Sequence, residues 1–142
     1  MRLPTTPRRN FSSLLDIPLP RLNTFRDRNP GCAKIGQKVI IAGGYRNGAS
    51  LSSTEVLDLI DRRISSGGEM ASPRMYFHLA TIISGGEEKM FALAGYNIDI
   101  SWLNSVEEWV EESSTWKAAD NMVEQRSDFG SVAVPRHLVC PL

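Results

Sequence analysis

The chain holds few groups able to carry out a reaction. Its two histidines are His78 and His137, and its two cysteines are Cys32 and Cys140. A catalytic histidine needs a nucleophile or a carboxylate placed beside it. His78 instead opens an apolar stretch next to Phe77, and His137 lies close to the end of the sequence; both read as surface or satisfied histidines. No His/Cys spacing fits a metal site. No Gly-x-Ser-x-Gly elbow, P-loop or dinucleotide fingerprint occurs. The glycines of "SGGEE" (84–88) are not followed by a helical pattern, so they signal a hairpin turn rather than a phosphate cradle. "VEEWVEESS" (106–114) concentrates carboxylates, but Glu108 and Glu111 fall on a strand, which makes a solvated face rather than an acid and base in a cleft. Cys32 falls on a core-facing strand and reads as a small buried thiol. Its pairing with Cys140 would need both ends of the chain to meet. No catalytic residue, metal or cofactor is expected, and the chain is expected not to be an enzyme. Two cysteines without a framework favour a reducing, cytoplasmic setting.

Composition excludes other classes. Sixteen Lys+Arg balance sixteen Asp+Glu over 142 residues, so the basic excess of a nucleic-acid binder is missing. No apolar run approaches the roughly eighteen residues that suggest a membrane span. The opening "MRLPTTPRRNFSSLLDIPLPRL" is basic but carries four prolines and no unbroken apolar stretch, unlike a secretory signal.

What must position any site is a repeat. "VIIAGGY" (39–45) is echoed by "MFALAGY" (90–96). Glu55 matches Glu107, Leu57 matches Trp109, Ile64 matches Trp116, Met70 matches Met122, Arg74 matches Arg126 and Phe77 matches Phe129, each pair 52 apart (107 − 55 = 52). A weaker copy precedes them, with Arg26 in the place of Arg74. "GCAKI", "KVIIAG", "STEVLDL" and roughly "RRISS" read as four short strands. "FHLATIIS", "KMFALAG", "SVEEWVE" and "STWKAA" read as four more. "FGSVAVP" (129–135) reads as the first strand of a further unit. Long 3.6-residue apolar periods are absent. A four-stranded unit of about fifty residues is the signature of a propeller blade.

The residues Gly43-Gly44, Glu55, Met70 and Arg74, and then Gly95, Glu107, Trp109, Trp116, Met122 and Arg126, resemble kelch repeats. The resemblance covers roughly residues 19–134. It implies an all-β fold of four-stranded antiparallel blades forming an incomplete β-propeller. The units are a segment 1–26 with the last strand of a preceding blade, repeats 27–74 and 75–126, and a partial repeat 127–142. Gly43, Gly44 and Gly95 are expected where the second strand leaves the crowded sheet, and Trp109 and Trp116 between adjacent sheets. The resemblance also implies a buried pair of Glu107 with Arg126. Ala94 departs from the diglycine, and Leu57 and Ile64 from the usual aromatics.

By position in the family, four loops line the ligand face: 45–51, 96–103, 74–77 and 126–129. Tyr45, Arg46 and Asn47 make a recognition set of aromatic area, bidentate donor and adaptable amide. Tyr96, Asn97 and Asp99 repeat it more loosely, and Tyr76 and Asp128 each follow their arginine by two residues. The implied function is a protein or peptide interaction module. Many kelch proteins recruit substrates to cullin-type ubiquitin ligases; an extracellular or cytoskeletal scaffold is the alternative. A galactose-oxidase-like enzyme is a poorer fit, since too few histidines are present. Two blades cannot close a ring, so the chain is expected to be part of a longer propeller or to self-associate through its open blade ends.

Overall fold

The computed structural model describes residues 19–134. They form ten strands and, among the described residues, no helix. The first repeat comprises β1 (Gly31–Ile35), β2 (Lys38–Ala42), the short β3 (Tyr45–Arg46) and β4 (Ala49–Ser50), β5 (Ser53–Asp58) and β6 (Arg63–Glu69). The second comprises β7 (His78–Ser84), β8 (Glu87–Asn97), β9 (Ser101–Val110) and β10 (Thr115–Ala119). Two four-stranded antiparallel meanders result, β1-β2-β5-β6 and β7-β8-β9-β10, with β3 and β4 as a separate hairpin. The hairpins form where the sequence allows left-handed backbone. Gly85 and Gly86 join β7 to β8 with φ of 64° and 86°, and Asn47-Gly48 joins β3 to β4 with φ of 49° and 88°. The sheets do not close a ring. This is the all-β, incomplete propeller that the kelch resemblance implies.

The equivalence of the repeats extends to backbone pairing. Ile41 faces Glu55 across β2/β5 as Ala92 faces Glu107 across β8/β9. Leu57 pairs with Ile64 as Trp109 pairs with Trp116. Tyr45 exchanges backbone hydrogen bonds with Asp27, and Tyr96 does so with Met75. Residues 129–134 carry no strand, although "FGSVAVP" alternates as one; among the described residues no further strand lies beside them to complete a ladder. Residues 19–26 likewise form no strand, and 1–18 and 135–142, with His137 and Cys140, lie outside the described residues.

The expected Glu107–Arg126 pair does not form. Glu107 instead takes Arg74, at 2.7 Å, and Glu55 takes Arg26, at 3.2 Å. The segment that ends each repeat crosses to the following sheet, so its arginine serves the next repeat's glutamate. Arg74 donates to the carbonyls of Ser72, Ala94 and Ser105, to the Ser105 hydroxyl and to Glu107. The Glu107 carboxylate also accepts from the Ala71 and Ser72 amides at 2.7 and 3.1 Å. Burial draws the Arg74 guanidinium below its usual pKa, while Glu107 acts the other way. Arg126 is left with Glu124, at 3.0 Å, in solvent.

The core lies between the sheets. One face of the first sheet (Ile35, Ile40, Ala42, Val56) packs on the face of the second that carries Leu79, Met90, Ala92 and Trp109. Trp109 and Trp116 meet edge to face at 5.2 Å, and the Trp116 indole donates to the Thr54 hydroxyl at 2.9 Å. Room for the indoles comes from small residues opposite: a Cβ at Gly67 would stand 3.0 Å from the Trp109 ring. Cys32 is exposed, not buried. It pairs with Ile41, as Leu79 pairs with Ala92, so its counterpart in the second repeat is Leu79. That places it on the outward face of the first sheet.

Gly43 and Gly44 sit where β2 ends, with φ of 63° and 95°. A Cβ on Gly43 would fall 2.4 Å from the Arg74 carbonyl. Gly95 repeats this with φ of 105° beside Phe77, and its amide reaches the Arg126 carbonyl at 2.7 Å. Ala94, in the other diglycine place, also holds a left-handed φ of 51°. Such backbone costs an alanine about 1 kcal/mol. Ala94→Gly is therefore expected to raise stability by up to about 1 kcal/mol, read from urea unfolding midpoints. A loss of stability would show that the Ala94 methyl, which is wholly buried, contributes more than its strain costs.

Candidate partner-binding face

The loops that leave both sheets on one side are set by backbone bonds between repeats. The Tyr76 amide donates to the Arg28 carbonyl at 3.3 Å, and the Asp128 amide to the Tyr76 carbonyl at 2.8 Å. Arg28, Tyr76 and Asp128 each follow a repeat's arginine by two residues, and each is left-handed, with φ of 53°, 51° and 54°. The same backbone conformation thus recurs at one position in all three copies. The three residues form a row whose side chains run from cationic through aromatic to anionic.

Two adjoining concavities flank this row. One, of about 340 Å³, is lined by Phe25, Asp27, Tyr45, Arg46 and Asn47. The other, of about 370 Å³, is lined by Arg28, Met75, Tyr76, Tyr96, Ser127 and Asp128. The Arg28 guanidinium stacks on the Tyr45 ring, 4.2 Å from its centroid, and so forms the wall between them. Tyr45, Tyr76 and Tyr96 are half-buried, and Arg46 and Asp128 are exposed. A surface of this kind offers rigid aromatic area, a guanidinium fork and a carboxylate together.

The other residues singled out from the sequence are placed differently. Asn47 lines the first concavity and also forms the left-handed corner of the β3/β4 turn. Asn97 is buried; its amide donates to the Pro73 carbonyl at 2.8 Å, and its oxygen accepts from the Asp99 amide at 2.8 Å. It latches its loop and presents no group outward. Asp99 is exposed but lines neither concavity. His78 is half-buried, its Nδ1 paired with the Ser131 hydroxyl. Among the described residues no three His, Cys, Asp or Glu side chains stand together as metal ligands.

Sequence reasoning missed Arg28, Phe25, Asp27 and the exposed Trp102, which meets Tyr96 edge to face at 6.0 Å. Arg28 was within reach. It follows Arg26 as Tyr76 follows Arg74, and extending that rule to the weak first copy would have found it.

No family model matches the chain. Two curated proteins of Caenorhabditis elegans are similar to it. "Kelch repeat-containing protein kel-10" is 29% identical over 110 residues, which cover 77% of this chain and 19% of that protein. "Kelch repeat and BTB domain-containing protein F47D12.7" is 27% identical over 110 residues, again 77% of this chain and 19% of its own length. The chain thus spans about a fifth of the length of the curated relatives it matches.

Proposed function

We propose, from the premise that these are kelch repeats, that the chain supplies a protein-binding face built on the row Arg28–Tyr76–Asp128 and the residues Tyr45, Arg46 and Tyr96 beside it. The chain is a protein-interaction module, as its kelch-repeat relatives support. The observation that carries the location of the face is the pair of concavities sharing the Arg28–Tyr45 stack. The ligand that suits it is an extended peptide of mixed charge. An acidic side chain would take Arg46 or Arg28 in a charge-assisted bond, and a basic one would take Asp128. A finer reading is substrate recruitment to a ubiquitin ligase. One similar protein carries a BTB domain in its name, and that arrangement suits an adaptor whose propeller holds the substrate.

The test is a selection of displayed random peptides against the chain, with affinities of the winners measured by fluorescence polarisation. Arg46→Ala and Arg28→Ala are each expected to weaken the selected peptides about tenfold or more, as arginine anchors do, without lowering the unfolding midpoint. Peptides that bind both variants as well as the parent would move the site elsewhere on the chain.

A further inference from the structure

The β3/β4 turn holds the one asparagine–glycine pair of the sequence, Asn47-Gly48. Such a pair is chemically reactive. The backbone nitrogen that follows an asparagine can attack the side-chain amide carbon and close a cyclic imide, and glycine hinders that attack least because it carries no side chain. Asparagine is accordingly among the heat-labile residues. In a folded chain the reaction needs two things. The next residue's N–H must be free, and the side-chain amide must be free to turn toward it.

The described residues hold six asparagines, and the other five each fail one of these conditions. Asn29 precedes Pro30, which has no N–H to lose. The Thr24 amide, after Asn23, donates to Glu55 at 3.0 Å, and the Met122 amide, after Asn121, donates to the Asn104 carbonyl at 2.8 Å. The Ile98 amide, after Asn97, donates to the Ser50 hydroxyl at 3.0 Å, and the Asn97 side chain is itself held by Pro73. The Asn104 side-chain amide donates to the Met122 carbonyl at 3.1 Å.

At Asn47 neither condition fails. The residue is exposed. Among the described residues the Gly48 N–H reaches no backbone carbonyl, and a Cβ on Gly48 would meet nothing within 4 Å. The hairpin is two rungs long, Tyr45 opposite Ser50 and Arg46 opposite Ala49, and it forms a sheet of its own. So short a ribbon opens at little cost. Asn47 can thus leave its left-handed φ of 49° for the geometry of attack, while Tyr45 stays anchored by its separate bonds to Asp27.

We propose that Asn47 is a self-modifying site, its side-chain amide lost through an imide formed with Gly48, so that a carboxylate appears beside Arg46. The Gly48 nitrogen gives up its proton and bonds to Asn47 Cγ. The Cγ–Nδ2 bond breaks, and Nδ2 takes up the proton and leaves as ammonia. Water then cleaves one of the two imide bonds. Cleavage at Cγ gives aspartate; cleavage at the backbone carbonyl of residue 47 gives isoaspartate, whose main chain runs through Cγ. Either product adds a carboxylate to the concavity lined by Phe25, Asp27, Tyr45 and Arg46, where it competes with an acidic ligand for the Arg46 guanidinium. The longer main chain of isoaspartate also no longer fits the two-residue turn between Arg46 and Ala49. The effect on recognition rests on the loop face proposed above; the conversion does not.

The test follows the purified chain at mildly alkaline pH and body temperature, by peptide mapping with mass spectrometry and by enzymatic methylation of isoaspartate. Asn47 is expected to convert within about tenfold of the rate in a free peptide of residues 44–51, because the hairpin opens easily. Asn23, Asn97, Asn104 and Asn121 are expected to stay intact. An Asn47 still intact when the free peptide has converted, or a bonded asparagine that converts first, would overturn the proposal. Aspartate without isoaspartate would overturn the imide route. Asn47→Asp carries the carboxylate from the start and is expected to weaken acidic peptides selected on the loop face severalfold. Unchanged affinities would overturn the effect on recognition. The mass readings need no ligand, so failure of the conversion and failure of the loop-face reading are told apart.

Discussion

Arg74→Ala is expected to destabilise the chain by about 3–5 kcal/mol, the usual cost of breaking a buried ion pair from one side. The side chain is fully buried and its guanidinium joins three elements: the segment it belongs to, β8 through Ala94, and β9 through Ser105 and Glu107. Its removal takes the donor from three backbone carbonyls, those of Ser72, Ala94 and Ser105, and leaves Glu107, itself 3% exposed, with only the amides of Ala71 and Ser72. A domain of ordinary stability, about 5–15 kcal/mol, would lose a large part of its total. The comparison within the chain sharpens the expectation. Arg26→Ala breaks fewer bonds and should cost less. Arg126→Ala, at a solvent-exposed pair, should stay within about 0.5 kcal/mol. Urea unfolding followed by tryptophan fluorescence gives all three. Equal costs for Arg74 and Arg126 would mean that the cross-repeat pair does not hold the sheets together.

Trp109→Ala is expected to cost about 3–5 kcal/mol as well, by a different route. Trp109 is 3% exposed in the layer between the sheets, and its ring supports Trp116, which in turn ties β10 to Thr54 of β5. Truncation opens a cavity in the contact that joins the two sheets. Trp109→Phe should cost far less, about 1–2 kcal/mol. The lost volume is smaller, and the indole N–H it removes has no acceptor in the folded chain. A phenylalanine variant as unstable as the alanine variant would show that the indole N–H is satisfied after all, by water.

The repeat was legible because its markers are each forced by local physics. Glycines mark the left-handed ends of β2 and the bend in β8, and tryptophans mark the layer between sheets. What could not be read were relations between repeats. A spacing of nineteen between Glu107 and Arg126 (126 − 107 = 19) says nothing about which sheet the arginine crosses to, and the true partner, Arg74, precedes its glutamate in sequence. Cys32 was misplaced because "GCAKI" and "LATII" align equally well in two neighbouring registers, and a shift of one residue turns a side chain to the opposite face. In the candidate site, Tyr45, Tyr76, Tyr96 and Asp128 were visible from position alone. Asn97 resembled a surface residue because nothing in its type distinguishes an amide that latches a loop from one that meets a ligand.

The chained amides of Arg28, Tyr76 and Asp128 carry an evolutionary consequence. At these three positions the backbone alone performs the structural task, since each link is an N–H reaching a carbonyl one repeat away. Their side chains take no part in those links, and the three chosen here share neither charge nor shape. The row is a template whose letters can be exchanged independently of the page: drift at these codons would change the charge and shape that this surface presents while leaving the fold's own requirements, at the glycines and the buried arginine, in place.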